Sequence, residues 1–239
     1  FVLYNLGGSI MNAAVGALFL ALYFICPNGS RTAPFVLLFA AVGFITAVMN
    51  GVPMRLGAVD NDGYNALAIS KSSEAAEAFW VQLSIVGQSA RGVRLKDMPE
   101  EWFRVPAEES MQNSIVAVRG VLACNRLMDE QKFNQADALM ARMLAAESGM
   151  AGIHRGLLVC DRIYIELIGV ARREAIEAML TKAQAKFMKS MRRYPSVLRT
   201  EYALALLLEK NAARAEGIRA EFEKAAKSYP YPQETESEQ

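Results

Sequence analysis

The sequence has 239 residues, a hydrophobic fraction of 53% and a formal net charge of +1. This length allows one or two domains, and the composition argues against a disordered chain and against a nucleic-acid-binding chain. The charges are unevenly distributed, because Arg31 is the only charged residue among the first fifty. Such a division is typical of a membrane part that is joined to a soluble part.

Two apolar segments fill the first fifty positions. Residues 10–26 are almost wholly apolar, and with residues 3–9 they reach about the 20 residues that a helix needs to cross a bilayer. A Pro-Asn-Gly-Ser turn follows, and residues 35–49 form a second apolar run. We therefore predict a transmembrane helical hairpin over residues 1–50, in contact with membrane lipid. The alternative is a buried hairpin of a soluble protein, but charge is missing from every face rather than from one stripe.

One amide side chain interrupts the first apolar run. Asn12 lies inside it, where an amide needs a hydrogen-bond partner. Small residues are frequent in both runs, as close helix packing in lipid requires, so other helices are expected to pack against this hairpin. Asn12 therefore either bonds a neighbouring helix or lines a site.

The loop over residues 51–71 brings polar side chains to the edge of the apolar block. Asp60 and Asp62 lie there, and an ionisable residue at the mouth of a membrane segment is a candidate site residue. Pro53 ends the preceding helix, and Gly63 allows the backbone to turn back towards the membrane. The alternative is a simple Asx-rich turn, which these residue types form readily.

The same loop resembles a known family. Asn50-x-x-Pro53 at a helix end, followed by Asp62 and Gly63, is similar to the third zinc-ligand motif of the site-2-protease-type intramembrane zinc metalloproteases. The resemblance implies that Asp62 is a zinc ligand and that Asn50 hydrogen-bonds the ligand or the substrate backbone. Asp60 is the fallback ligand, because the family motif has glycine directly after its aspartate.

A second element of the resemblance lies near the start of the chain. Gly8-Ser9-x-x-Asn12 is similar to the family's Gly-Pro-x-x-Asn element, with Ser9 where proline is usual. The resemblance covers roughly residues 1–66 and implies that Asn12 helps to line a protease site.

The sequence departs from the family pattern in two respects. Twelve positions separate Asn50 from Asp62, which is longer than the compact motif, and no His-Glu-x-x-His segment is present. The only histidine is His154, in the polar half, where a surface or hydrogen-bonded histidine is expected rather than a metal ligand. The chain begins with Phe1 rather than methionine and enters an apolar helix without the basic start of a signal peptide. We therefore expect it to be a fragment. By the resemblance, an upstream segment would supply the missing ligands, and this fragment alone would be inactive.

Basic residues predict the orientation of the chain. Arg31 is alone in the hairpin turn, whereas Arg55 and other basic residues follow the second apolar run. The positive-inside tendency therefore places the C-terminal half in the cytoplasm. Cys26, Cys124 and Cys160 show no metal-ligand spacing, so we expect reduced thiols rather than disulfides.

The polar half, residues 72–229, shows helical periodicity without an obvious set of strands. We predict an all-α chain in which a hairpin precedes a soluble domain that resembles tetratricopeptide-type repeats. Such stacks present a concave face for peptides or partner proteins, and the alternative is an irregular helical bundle without a binding role. The predicted helices cover approximately residues 72–90, 108–128, 131–147, 150–169, 172–192, 196–210 and 212–228.

Two further segments of the polar half are distinctive. Basic residues between Lys182 and Arg193 form one side of a helix, which is either a solvated face or a contact for anionic lipid. Residues 230–239 are acidic and lack aliphatic residues, which predicts a disordered tail.

Two functions of different classes follow from these patterns. The first is part of a membrane-embedded zinc metalloprotease that cleaves a protein or peptide substrate in or near the membrane, with the helical domain regulating it or selecting the substrate. The second is a membrane-anchored helical-repeat adaptor without catalysis.

Overall fold

A computed structural model of the chain describes residues 1–27, 29–57 and 59–238. The described residues form helices and no strand, which confirms the predicted all-α class. They divide into two compact units, which are Phe1–Phe79 and Trp80–Gln239 and are called the first unit and the second unit below.

The first unit begins with the predicted hairpin of two apolar helices. Helix α1 covers Val2–Ile25 and helix α2 covers Ala33–Gly51, with a proline in the first turn of α2. The two backbones approach most closely at Gly16 and Gly43, since a Cβ built on Gly43 would lie 2.9 Å from the Gly16 Cα. Only residues without a side chain allow this separation, as expected for helices that pack in an apolar solvent.

Both helices of the hairpin are long enough and apolar enough to cross a membrane. Most of their large side chains are exposed, including Leu3 at 75% and Phe35 at 65%. This exposure is compatible with membrane-spanning helices.

Two shorter helices complete the first unit. Helix α3, Asp62–Ser70, packs against α1 and α2, and helix α4 covers Ser73–Ser89. The ring of Phe79 on α4 lies 5.5 Å from that of Phe1 and 6.1 Å from that of Tyr4. The boundary between the units falls within α4.

The second unit continues from α4 through short 3₁₀ turns into a series of helices. Helix α7 is its centre, because α5, α6, α8, α9 and α10 all contact it. A π-helical turn, Leu204–Leu208, directly follows α10. The helices are α5 Ser114–Asp129, α6 Phe133–Ala145, α7 Gly152–Ile168, α8 Arg173–Met179, α9 Lys182–Ser190, α10 Pro195–Ala203, α11 Ala212–Ala226 and α12 Pro232–Ser237.

The cysteines of the second unit are buried among apolar side chains. All three cysteines of the chain, including Cys26 at the end of the hairpin's first helix, are free thiols. Burial raises the pKa of Cys124 and of Cys160 to about 12. Since the thiolate is the reactive form, these two thiols are structural rather than nucleophilic.

Two segments of the second unit differ from the expectations. The single helix predicted over residues 172–192 is two helices, because the Thr181 hydroxyl accepts a hydrogen bond from the Gln184 backbone N–H and so caps a new helix. The acidic tail predicted to be disordered forms α12. Its ordering depends on contacts of Gln233 and Glu238 with distant parts of the unit, which composition does not reveal.

Candidate functional site

The candidate site lies where α2 ends and α3 begins, and Asn61 holds these two ends together. The Asn61 side-chain N–H groups donate to the backbone oxygens of Met49 and Val52, at 2.7 and 2.6 Å. Its Oδ1 accepts from the backbone N–H groups of Met54 and Tyr64, both at 2.9 Å. The side chain of Asn61 therefore caps the last turn of α2 and the first turn of α3 at once.

Gly63 allows α3 to lie against the end of α2. A Cβ built on Gly63 would lie 2.7 Å from the carbonyl carbon of Gly51 and 2.9 Å from the Pro53 nitrogen. No side chain fits in that space, so glycine is required by close packing here rather than by a left-handed backbone.

The same end of the hairpin also contains the Gly8 to Asn12 element. A Cβ built on Gly51 would lie 3.1 Å from the Cβ of Ser9, so the two helices are close at this position. The Ser9 hydroxyl is buried, and its oxygen has no hydrogen-bond partner among the described residues. Ser9, Gly51 and Gly63 thus form a series of contacts that joins α1, α2 and the start of α3.

An ion pair closes the loop between α2 and α3. Arg55 Nε donates to Asp60 Oδ1 at 3.0 Å, and the two residues form an antiparallel backbone bridge. The Arg55 guanidinium also lies over the Tyr64 ring, 5.0 Å from its centroid. The side chain of Asp60 is only 7% exposed, and Arg55 is the structural partner of its carboxylate.

Asp62 has a different environment from its two neighbours. It is the first residue of α3 and is exposed, while Asn61 before it and Gly63 after it are buried. A carboxylate in the first turn of a helix interacts favourably with the unpaired N–H groups there. Its exposed position leaves the carboxylate accessible to a ligand.

The remaining predicted residues lie around this junction. Asn50 and Pro53 are exposed, Asn50 in the last turn of α2 and Pro53 just after it. Gly8 is exposed on α1, and a Cβ there would meet nothing within 4 Å. Asn12 is half-buried, and its backbone oxygen lies 3.0 Å from a Cβ built on Gly43. Of the Gly8 to Asn12 element, the structure thus brings Ser9 to the end of α2, whereas Asn12 lies against the middle of that helix.

The residue that sequence reasoning missed is Asn61. Its signal is present in the sequence, because asparagine directly before an Asp-Gly pair is a favoured helix cap. Unlike the two aspartates on either side of it, Asn61 is not ionisable and does not fit a metal-ligand motif.

The described residues do not provide a complete metal site. No group of three His, Cys, Asp or Glu side chains in the described ranges is arranged to hold a metal ion. A catalytic zinc takes three protein ligands and keeps one open position. The junction offers one accessible carboxylate, Asp62.

Comparison of the chain with family models, with curated proteins and with solved structures found no significant match.

Proposed function

We propose that this chain is the C-terminal part of a site-2-protease-type intramembrane zinc metalloprotease, in which Asp62 is one of the zinc ligands. The observation that carries the proposal is the position of Asp62. It is an exposed carboxylate in the first turn of α3, which packs through Gly63 against the end of α2, where Ser9 of α1 also lies close to Gly51.

The contacts of the neighbouring residues support Asp62 over the alternatives. The alternative of an Asx-rich turn accounts for Asn61, whose side chain caps α3. Asp60, the fallback ligand, is paired with Arg55. Asp62 is the carboxylate of this loop that neither caps the helix nor pairs with Arg55, and for this reason we propose it as the ligand.

The membrane part of the proposal rests on α1 and α2. Their exposed apolar side chains need a nonpolar solvent, and lipid supplies it. If the two helices span the bilayer, the junction would lie at the membrane edge. Arg55 and the other basic residues after α2, against Arg31 alone in the hairpin turn, favour a cytoplasmic C-terminal half.

The second unit would regulate cleavage or select the protein or peptide substrate. Its helices α5, α6 and α7 contact one another in chain order, which is compatible with tetratricopeptide-type repeats. Zinc would bind only when two further ligands, such as those of a His-Glu-x-x-His helix, are supplied from outside these residues.

A matched pair of variants tests the proposal in the protein translated from its complete reading frame. Asp62→Asn removes the candidate ligand, and Asp60→Asn alters a carboxylate two positions away. We expect the first to abolish cleavage of a membrane-anchored reporter and the second to retain most of it. Equal activity of the Asp62→Asn variant and the unaltered protein would exclude the proposed role of Asp62.

A second candidate function is a membrane-anchored helical adaptor without catalysis. It is favoured by the lack of a three-ligand group among the described residues and by the purely structural roles of Asn61 and Asp60. The reading frame upstream of Phe1 separates the two candidates, since an apolar helix with His-Glu-x-x-His supports the protease and any other opening supports the adaptor.

A further inference from the structure

The second unit contains a groove that the end of the same chain partly fills. The open part of this groove has a volume of about 280 Å³. The last turn of α4, helix α7 and the start of α10 contribute to its wall, and residues of the tail complete it. We call this feature the tail groove, and its walls include Ile85, Ser89, Arg94, Asp161, Tyr194 and Arg199.

The tail is attached to the groove by polar contacts. Gln233 is 5% exposed, and its Nε2 donates to the backbone oxygen of Ser89 at 2.6 Å. This oxygen belongs to the last turn of α4 and also accepts from the Gly92 backbone N–H at 3.0 Å. The glutamine side chain thus adds a second hydrogen bond to the end of α4.

Arg199 holds the other end of the tail. Its side chain is only 9% exposed, and it donates to Asp161 Oδ1 at 2.5 Å and, through Nη1, to the carboxylate of Glu238. The guanidinium also lies over the Tyr164 ring, 4.0 Å from its centroid. The buried Arg199 guanidinium therefore forms ion pairs with Asp161 of the core and with Glu238 of the tail.

Arg94 is the second arginine of the groove, and it also interacts with acidic residues. Arg94 is hydrogen-bonded to Asp129, which raises the pKa of Arg94, and the charge of Glu236 raises that pKa further. Each arginine of the groove therefore interacts with an aspartate of the core and with an acidic residue of the tail.

The composition of the tail favours reversible rather than permanent binding in the groove. The segment 232–238 contains no aliphatic or aromatic residue, so it gains little from burial of apolar surface. Fixing its backbone costs conformational entropy at every residue. A docked segment of this composition is exchangeable.

We propose that the tail groove is a binding site for acidic peptides, which residues 232–238 occupy in cis until an acidic segment of a partner protein displaces them. A glutamate carboxylate of the ligand pairs with Arg199, and a side-chain amide donates to the Ser89 carbonyl. The proposal does not depend on whether the chain cleaves peptides.

The test measures binding of a fluorescent peptide of residues 229–239 to the full chain in detergent micelles, by fluorescence polarisation. The intact chain is compared with a chain that ends at Tyr231. A short tether gives the tail an effective concentration on the order of mM. We therefore expect the shortened chain to bind the peptide at least about 10-fold more tightly than the intact chain does.

Two further measurements complete the design. A peptide with Glu238→Gln should bind the shortened chain about 10-fold more weakly, because the pair with Arg199 is lost. If the shortened chain does not fold, as judged by circular dichroism, Glu238→Gln in the intact chain serves in its place and should increase its affinity for the unaltered peptide. Equal affinity of the intact and tail-altered chains, or no binding to either, overturns the proposal. So does a dimer of the intact chain that disappears on truncation, since the tail then acts between copies.

Discussion

Replacement of Asn61 by alanine tests the junction between α2 and α3. The variant removes the side chain that donates to the Met49 and Val52 carbonyls and accepts from the Met54 and Tyr64 N–H groups. Loss of a helix cap costs about 1 kcal/mol, and each further hydrogen bond contributes about 1 kcal/mol net. Because the four bonds share one side chain and are not additive, we expect a loss of about 3 kcal/mol.

Hydrogen exchange measured by mass spectrometry is the appropriate assay, since it reports opening of α3 rather than unfolding of the whole chain. A loss of about 3 kcal/mol corresponds to roughly 10²-fold faster exchange of the α3 amides. The Tyr64 amide should be among those affected, because it donates directly to Asn61.

Two companion variants make the interpretation specific. Asn61→Asp keeps the acceptor for the α3 amides but replaces the donors with a carboxylate that faces two carbonyls, so it should protect α3 less than asparagine does. Asn50→Ala, at an exposed position of the same loop end, should leave the exchange unchanged. If Asn61→Ala exchanges no faster than Asn50→Ala, the junction does not depend on this amide and our account of the site is wrong.

Two further predictions concern other parts of the chain. Gly43→Val should lower the apparent melting temperature of the chain in detergent, because its side chain would meet the Gly16 backbone, whereas Gly7→Ala, with open space around it, should not; equal melting of both variants would contradict the close approach of α1 and α2. Hydrogen bonds from Arg172 lower the pKa of Glu166 to about 2, so Glu166 should stabilise the fold above the ordinary pKa of glutamate and lose this contribution as the pH falls through about 2. The stability difference between the unaltered chain and Glu166→Gln, followed by denaturant unfolding, should therefore shrink in acid, and a difference that grows there would refute the assignment.

The sequence predicts the hairpin well, because the reason for the hairpin is local. Long apolar runs on either side of a Pro-Asn-Gly-Ser turn leave helices as the only way to satisfy the backbone in an apolar solvent. The bounds of α5, α6 and α7 also agree with the predicted ones within a few residues apart from the start of α5, which 3₁₀ turns precede.

The features that the sequence did not predict depend on contacts of single side chains with residues that are far away in the sequence. Gln233 and Ser89 are 144 positions apart, and only the packed helices between them show that an amide and a carbonyl meet. Composition alone predicted disorder for that segment. The break between α8 and α9 is an intermediate case, since Thr181 is a recognisable cap that lies within an otherwise continuous helical pattern.

In the loop of the candidate site, some features were predictable from the sequence and others were not. Asp62 and Gly63 could be selected from the motif, but the motif does not indicate that Gly63 fits against Gly51 or that Asp60 is paired. A steric contact between residues twelve positions apart decides the first point, and an ion pair between residues five positions apart decides the second.

The most direct test of the central claim is the zinc content of the protein translated from its complete reading frame, measured by inductively coupled plasma mass spectrometry after dialysis. We predict about one zinc ion per chain for the unaltered protein and for Asp60→Asn, as a three-ligand site requires, and a large loss for Asp62→Asn. Full zinc occupancy in the Asp62→Asn variant, or no zinc in the unaltered protein, would contradict the account.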